Sequence, residues 1–168
     1  MPAATLILAI GNILLTDEAV GTAVLKQLAT SSDLAPGCTL MDGGTLSFTL
    51  AGPIGDCQRL IVVDAAAMGD PPGSVRVFEG TAMDAQLRRH AKSVHEVSLA
   101  DLLDMARLTA ELPAQRALIG IEPAHIGWGE QLTPTVEAAV PRAVTEILAL
   151  IERWGYGDAS PPAPGHEM

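Results

Sequence analysis

The chain predicts an α/β fold, a single domain with a twisted, mostly parallel sheet of five strands and helices on both faces. Short continuous apolar runs alternate along it with segments whose apolar residues recur every three or four positions. Its 168 residues suit one domain. A chain of this size buries roughly 70% of its unfolded surface. A core without disulfides or structural metals is therefore expected.

The strands are assigned to apolar runs bounded by turn-forming residues. Continuous apolar runs are typical of strands that are buried on both faces in a parallel sheet. The sequence Val75–Phe78 alternates instead, which predicts a short edge strand whose direction, parallel or antiparallel, is left open. The other predicted strands are Thr5–Ile10, Cys38–Met41, Arg59–Val63 and Ala117–Ile121.

The helices are assigned from apolar spacing and from residues that begin or end helices. A polar first turn from Thr16 supplies a cap and acids for a helix to about Ala29. Ser98 to Asp101 resembles a capping box and opens a helix to about Leu112. Further helices are predicted at Leu46–Ala51, at Ala82–Arg88 within an irregular loop over 79–97, and from Thr133-Pro134 to Trp154-Gly155 with a restart or kink at Pro141.

The domain is expected to span residues 1–156, and the Pro-, Ala- and Gly-rich tail 157–168 is expected to be disordered. No apolar stretch approaches the ~20 residues of a membrane span, and the N-terminal run is too short for a signal peptide. We therefore expect a cytoplasmic protein. Cys38 and Cys57 form no metal-ligand spacing and are interpreted as small buried residues with reduced thiols.

The charge and composition exclude some classes of partner. The net charge is −10 and aromatic residues make up only 3% of the chain. Acidic balance opposes binding to a phosphate backbone, and scarce aromatic residues disfavour stacking on bases. We expect neither nucleic-acid binding nor membrane insertion, and we expect a monomer.

Three candidate site residues lie where predicted elements end. Glu18 follows the first strand and its loop, Asp64 ends the run Leu60–Val63, and His95 precedes a helix. The carboxyl edge of a parallel sheet is where open α/β folds bind ligands. Two carboxylates and an imidazole at that edge predict a site for a borderline divalent ion such as nickel, zinc, cobalt or iron. Three protein ligands would leave positions open for water or substrate.

Each of these residues also has an ordinary structural interpretation. Glu18 could serve the dipole of its helix, while Asp64, after four buried residues, needs a partner that offsets desolvation. A loop histidine such as His95 is commonly only solvated. The other histidines, His90, His125 and His166, rank lower because nothing in the local pattern directs them toward the site.

Common catalytic templates do not match the chain. His95-Glu96-Val97-Ser98-Leu99 is not HExxH, and Asp42-Gly43-Gly44-Thr45 is not the Asp-Thr-Gly of aspartic proteases. There is no Gly-x-Ser-x-Gly elbow and no phosphate-binding loop. The pair Gly43-Gly44 is explained equally well by a tight turn and by close approach of a ligand to the backbone.

A series of motifs nevertheless resembles the hydrogenase maturation endopeptidases over about residues 5–154. The motifs are Gly11-Asn12-Ile13-Leu14-Leu15-Thr16-Asp17-Glu18-Ala19-Val20-Gly21, Asp42-Gly43-Gly44-Thr45, Val63-Asp64-Ala65 with Pro72-Gly73, Ser93-Val94-His95-Glu96, Gly120-Ile121-Glu122-Pro123 and Leu132-Thr133-Pro134-Thr135-Val136. Each motif is weak alone, but their combination is specific. The resemblance also implies a twisted sheet between helices, in agreement with the apolar pattern.

The resemblance implies a function that spacing could not. Such enzymes remove a C-terminal extension from the large-subunit precursor of a nickel–iron hydrogenase after nickel insertion. Glu18, Asp64 and His95 would contact nickel supplied by that precursor and carry out catalysis, and another divalent cation could occupy the site in a crystal. Residues implicated in substrate contact would be Asp42, Gly43, Gly44 and Thr45.

The mechanism and two rival functions stay open at this point. A metal could polarise the carbonyl or a bound water, or Asp64 or Glu18 could act as general base, so aspartic-type and metal-dependent hydrolysis are both compatible. The rivals are a non-catalytic nickel-binding or chaperone-like maturation factor and an amidohydrolase acting on a small substrate.

Overall fold

A five-stranded sheet forms the centre of the protein. The computed structural model describes residues 4–45, 48–89 and 98–155. The strand order is β2-β1-β3-β5-β4, and only β4 runs antiparallel to its neighbour. The predicted fold class is confirmed, and the edge strand is antiparallel. The strands are β1 (Thr5–Ala9), β2 (Cys38–Asp42), β3 (Arg59–Ala65), β4 (Val75–Glu79) and β5 (Gln115–Ile121).

Helices cover both faces of the sheet. Two 3₁₀ turns, Thr16–Ala19 and Phe48–Leu50, directly precede the first two α-helices. The helices are α1 (Val20–Ala29), α2 (Ala51–Asp56), α3 (Thr81–Arg89), α4 (Leu99–Leu108), α5 (Pro134–Glu137) and α6 (Val140–Arg153). Helices α1, α5 and α6 pack on one face, and α2, α3 and α4 pack on the other.

Side-chain alternation along the central strands builds two apolar layers. Ile7 and Ile61 face the layer of α1 and α6, while Leu8 and Val62 face the layer of α2 and α4. All four side chains are fully buried. Continuous apolar runs are therefore required in these strands because both faces are covered.

Some helix boundaries differ from the prediction. The helix expected at Leu46–Ala51 is α2, which begins at Ala51 and continues past Pro53. Proline is tolerated there because its missing N–H falls in the first turn, where that donor has no partner within the helix. The segment expected at Ala82–Arg88 is confirmed within α3, while α4 ends at Leu108 rather than near Leu112.

Two predicted helix signals are confirmed. Ser98 and Asp101 form a capping box, in which each side chain accepts a hydrogen bond from the other residue's backbone N–H. The helix opened by Pro134 ends at Glu137, and α6 starts afresh with Pro141 in its first turn. The tail 157–168 lies outside the described residues.

An ion-pair network lies at the amino edge of the sheet. Asp84 of α3 accepts two hydrogen bonds from Arg116 at the start of β5, at 3.0 and 2.7 Å. Asp84 also pairs with Arg107 of α4, and Asp104 joins Arg107 to Arg88. Arg116 is only 8% exposed, so its charge depends on Asp84.

The cysteines are half-buried rather than fully buried. Cys38 packs against one apolar layer and Cys57 against the other, and both are free thiols. Burial raises the pKa of Cys57 to about 11, although backbone hydrogen bonds act in the opposite direction.

No helix among the described residues has both the length and the apolar character needed to cross a lipid bilayer.

Candidate active site

The carboxyl ends of β1, β2 and β3 are joined by backbone hydrogen bonds. The N–H of Ile10 donates to the Val63 carbonyl at 3.1 Å, and the N–H of Gly43 donates to the Ala9 carbonyl at 2.8 Å. The N–H of Gly11 then donates to the Gly44 carbonyl at 2.9 Å. The loops that follow the three strands therefore start from one rigid edge.

Glu18 lies in the 3₁₀ turn before α1, and its side chain points back toward the loop after β1. Its Oε1 accepts a hydrogen bond from the Asn12 N–H at 3.0 Å. No side-chain capping bond is present at the start of the turn or of α1, so the predicted cap at this helix is wrong. The turn packs against β3, the strand that carries Asp64.

Two glycines permit this close packing. A Cβ on Gly11, whose φ is +141°, would lie 1.9 Å from the Glu18 carbonyl oxygen. A Cβ on Gly21 would lie 2.7 Å from the carbonyl oxygen of Val63. Both distances are shorter than any real contact, so the site needs glycine where Glu18 and α1 approach the strands.

Asp64 is half-buried near the end of β3, paired in register with Gly120 of β5. Alternation places it on the same face as Leu60 and Val62, which is the face covered by α2, α3 and α4. The strand extends one residue past Asp64, to Ala65. The residues before and after Asp64 are therefore both part of β3, which fixes the backbone of Asp64.

His95 lies outside the described residues, but the elements on either side of it are described. Asp84 near the start of α3 pairs with Arg116 at the amino end of β5, so α3 runs from the amino edge toward the carboxyl edge. Helix α4 packs against α3 in the opposite direction, since Arg88 pairs with Asp104. Helix α3 therefore ends, and α4 begins, toward the carboxyl edge on the face of Asp64.

The predicted metal-binding trio includes His95, which lies outside the described part of the chain. Within residues 4–45, 48–89 and 98–155, no three His, Cys, Asp or Glu side chains are grouped so that they could hold a metal ion. Because His95 is not among those residues, the convergence of Glu18, Asp64 and His95 stays a prediction.

The residues predicted to contact substrate follow β2 at the same edge. Asp42 accepts hydrogen bonds from the Thr22 hydroxyl at 2.9 Å and from the Gly44 N–H at 3.0 Å. A Cβ on Gly43 would lie 3.2 Å from the Ala9 carbonyl, and Gly44 has a φ of +57°. Turn geometry and chain packing thus explain both glycines, while Thr45 is exposed beside them.

Asp17, the residue before Glu18, is fully buried and binds a distant loop. Its Oδ2 accepts hydrogen bonds from the N–H groups of Ala124 and His125 at 2.9 and 3.0 Å. Its Oδ1 accepts one from the Thr133 N–H at 2.8 Å, and the Thr133 hydroxyl also contacts both oxygens. In the sequence, Asp17 is only one of the acids in the predicted first turn after Thr16, and the pattern does not reveal these partners.

The charge of Asp17 is stabilised by these bonds. Burial by itself raises the pKa of a carboxyl group, but the hydrogen bonds from Thr133, His125 and Ala124 outweigh it, so the pKa of Asp17 lies below its ordinary value. Asp17 therefore stays ionised although it is shielded from solvent, and it fixes the loop between β5 and α5 beside the turn of Glu18.

Thr16 adds a second connection between these loops. Its φ is +45°, a strained conformation for a β-branched residue. Its hydroxyl donates to the His125 carbonyl at 2.7 Å and accepts from the Gly127 N–H, while its own N–H donates to the Gly129 carbonyl. His125, ranked low from sequence, is therefore fixed by its backbone beside this turn. Strain compensated in this way clusters at functional sites.

Comparison with known proteins shows the family of the chain. A sequence model of the hydrogenase maturation protease family matches residues 22–150. The chain belongs to that family. The resemblance drawn from its motifs is confirmed, and family membership assigns the chain to the proteases that act in hydrogenase maturation.

Individual relatives of the family are similar over most of their length. The chain is 36% identical over 155 residues to the hydrogenase 2 maturation protease of Escherichia coli K12, covering 89% of this chain and 92% of the relative. It is 35% identical to the hydrogenase expression/formation protein HoxM of Cupriavidus necator, covering 87% and 73%. The structure of the hydrogenase maturating endopeptidase HybD from Escherichia coli superposes with a TM-score of 0.83 at 33% identity, over 90% of this chain and 94% of that one.

Proposed function

We propose that the protein is an endopeptidase that removes the C-terminal extension of a nickel–iron hydrogenase large-subunit precursor after nickel insertion. Glu18, Asp64 and His95 contact the nickel that the precursor carries, and this contact selects the loaded precursor in the cytoplasm. Asp42, Gly43, Gly44 and Thr45 contact the tail of the substrate.

The observation that carries the proposal is the placement of two carboxylates at one sheet edge within a hydrogenase maturation protease. Glu18 lies on a turn that packs against β3, and Asp64 lies at the end of β3. Helices α3 and α4, which flank the segment of His95, cover the face toward which Asp64 points. Carboxylate and imidazole groups suit nickel as ligands. Membership of a protease family supports a peptide bond as the group that is cleaved.

The chemistry needs a base and a fixed substrate. Hydrolysis of a peptide bond adds water to the carbonyl carbon while a base takes a proton from that water. The C–N bond then breaks as the leaving amine takes up a proton. The carboxylate of Glu18 or that of Asp64 can act as the general base that takes the proton from water. Asn12 holds Glu18 through its backbone N–H, and the β5 pairing holds the backbone of Asp64. The Glu18 carboxylate and the backbone of Asp64 are therefore positioned before the substrate arrives, which lowers the cost of ordering the site.

The proposal is tested by measuring the intact mass of purified precursor, with and without nickel, after incubation with the protein. We expect the nickel-loaded precursor to lose the mass of its C-terminal extension and the nickel-free precursor to keep its full mass. Unchanged mass for the loaded precursor, with binding detected, would instead indicate a non-catalytic nickel-binding maturation factor. Equal cleavage of both precursors would remove nickel recognition from the proposal.

A further inference from the structure

Exposed apolar side chains concentrate on two loops at the carboxyl edge. Seven large hydrophobic side chains are exposed in the described part of the chain, and four of them lie on the loops after β1 and β5. Trp128 is 82% exposed and Ile13 is 53% exposed. We call the four residues Ile13, Leu14, Ile126 and Trp128 the apolar platform.

The two loops of the apolar platform are joined into one surface. Leu15 pairs with Gly129 in a parallel bridge, and the Gly129 N–H donates to the Leu14 carbonyl at 2.9 Å. Asp17 and Thr16 hold the same two loops through the hydrogen bonds described above. The backbone of the platform is therefore already ordered. Binding of a partner to it should cost little further backbone entropy.

The platform is continuous with the proposed active site. The loop that carries Ile13 and Leu14 leads directly to Glu18, and its Asn12 N–H donates to the Glu18 carboxylate at 3.0 Å. A macromolecule that covers the platform would therefore lie beside that carboxylate.

The charge around the platform selects among possible occupants. The segments 10–18 and 122–134 contain no Lys or Arg, and the chain has a net charge of −10. A nucleic acid or an anionic lipid surface would need basic residues here. An exposed tryptophan among aliphatic side chains is instead typical of a protein interface hot spot.

We infer that the apolar platform docks the hydrogenase large-subunit precursor, on an apolar surface next to the C-terminal extension that is cleaved. The inference rests on the proposed function, since it takes the precursor as the substrate of Glu18 and Asp64. Docking on the platform adds affinity for the precursor, while the proposed active site at the carboxyl edge hydrolyses the peptide bond.

The test compares Trp128→Ala with the control Leu108→Ala. Leu108 is 87% exposed at the end of α4, away from the platform, and neither substitution removes a buried side chain. Trp128→Ala should raise KM for the nickel-loaded precursor about 30-fold, as loss of an interface hot spot does, with kcat within about twofold. Leu108→Ala should change neither constant, and Ile126→Ser should follow Trp128→Ala with a smaller effect.

A parallel measurement of Kd for the precursor, by biolayer interferometry, separates the two claims. Loss of affinity in Trp128→Ala together with no cleavage by the wild type would contradict the proposed function and support the docking inference. Unchanged KM and Kd in Trp128→Ala with normal cleavage would overturn the docking inference alone. Trp128-dependent self-association by analytical ultracentrifugation, or binding to phosphatidylcholine vesicles, without an effect on precursor binding would also overturn it.

Discussion

Asp17 and Thr133 are joined by both a backbone and a side-chain hydrogen bond, although 116 positions separate them in the sequence. The contact links the turn before α1 to the start of α5, across the carboxyl edge of the sheet. It fixes the residue that precedes Glu18 and the loop that carries His125 and Trp128. The site is therefore built from two distant segments that one buried carboxylate holds together.

Replacing Asp17 should destabilise the protein more than replacing an exposed acid. Asp17→Ala leaves the N–H groups of Ala124, His125 and Thr133 without their acceptor, so we expect a loss of about 3–5 kcal/mol in the free energy of unfolding. Denaturant titration measures this loss. Asp33→Ala, at an exposed loop position, is the control, and an equal effect of both substitutions would contradict the role of Asp17.

The same residue predicts a dependence of stability on pH. The pKa of Asp17 is lowered in the folded state, so its contribution is fully present above the ordinary carboxyl pKa of about 3.9. That contribution is lost as the pH falls below this value toward the lowered pKa. Asp17→Asn should therefore flatten the acid side of the stability profile. Unfolding curves from pH 5 to pH 2 check this, and identical slopes in wild type and variant would contradict it.

Gly11→Ala should displace the loop that holds Glu18. The added Cβ would meet the Glu18 carbonyl at 1.9 Å, at a φ that L-residues rarely adopt. We expect a loss of about 2–4 kcal/mol in stability and a larger relative loss of precursor cleavage. Gly52→Ala is the matched control because its Cβ meets open space in α2. Comparable behaviour of the two variants would show that Gly11 is not required.

The network of Asp84 should support the fold without taking part in the reaction. Asp84→Asn removes the charge that balances the buried Arg116, so we expect a loss of about 3 kcal/mol in the free energy of unfolding. Cleavage below the unfolding temperature should be unchanged because the network lies at the opposite edge. Glu146→Gln breaks an exposed pair with Arg142 and should cost less than about 0.5 kcal/mol. A cleavage defect in folded Asp84→Asn would contradict this separation.

The fold was largely predictable because its signals are local. The apolar runs of β1, β3 and β5 and the capping box at Ser98 are each read from a few neighbouring residues. Helix α2 was predicted to end at Ala51, just before Gly52-Pro53, but it begins there, because proline is compatible with the first turn of a helix.

The sequence predicted the sheet edge at which the site lies, but not the hydrogen bonds that hold the site in place. Glu18 follows β1 and its loop, and Asp64 lies near the end of β3, so topology alone brings both to the carboxyl edge. The partners of Asp17 lie more than a hundred positions away, and no local pattern specifies such contacts. The sequence shows only that an acid directly precedes the candidate site residue Glu18, and the burial that distinguishes Asp17 is seen only in the structure. The strained Thr16 and the joined apolar platform likewise depend on tertiary structure.

The central claim is that the carboxylates of the carboxyl edge cleave the precursor. It is tested most directly by the intact mass of nickel-loaded precursor after incubation with wild-type protein and with Asp64→Asn, at equal concentrations of folded enzyme. The wild type should shorten the precursor by its C-terminal extension, and Asp64→Asn should leave its mass unchanged while still binding it. Cleavage by Asp64→Asn at the wild-type rate, or no cleavage by either protein, would contradict the account.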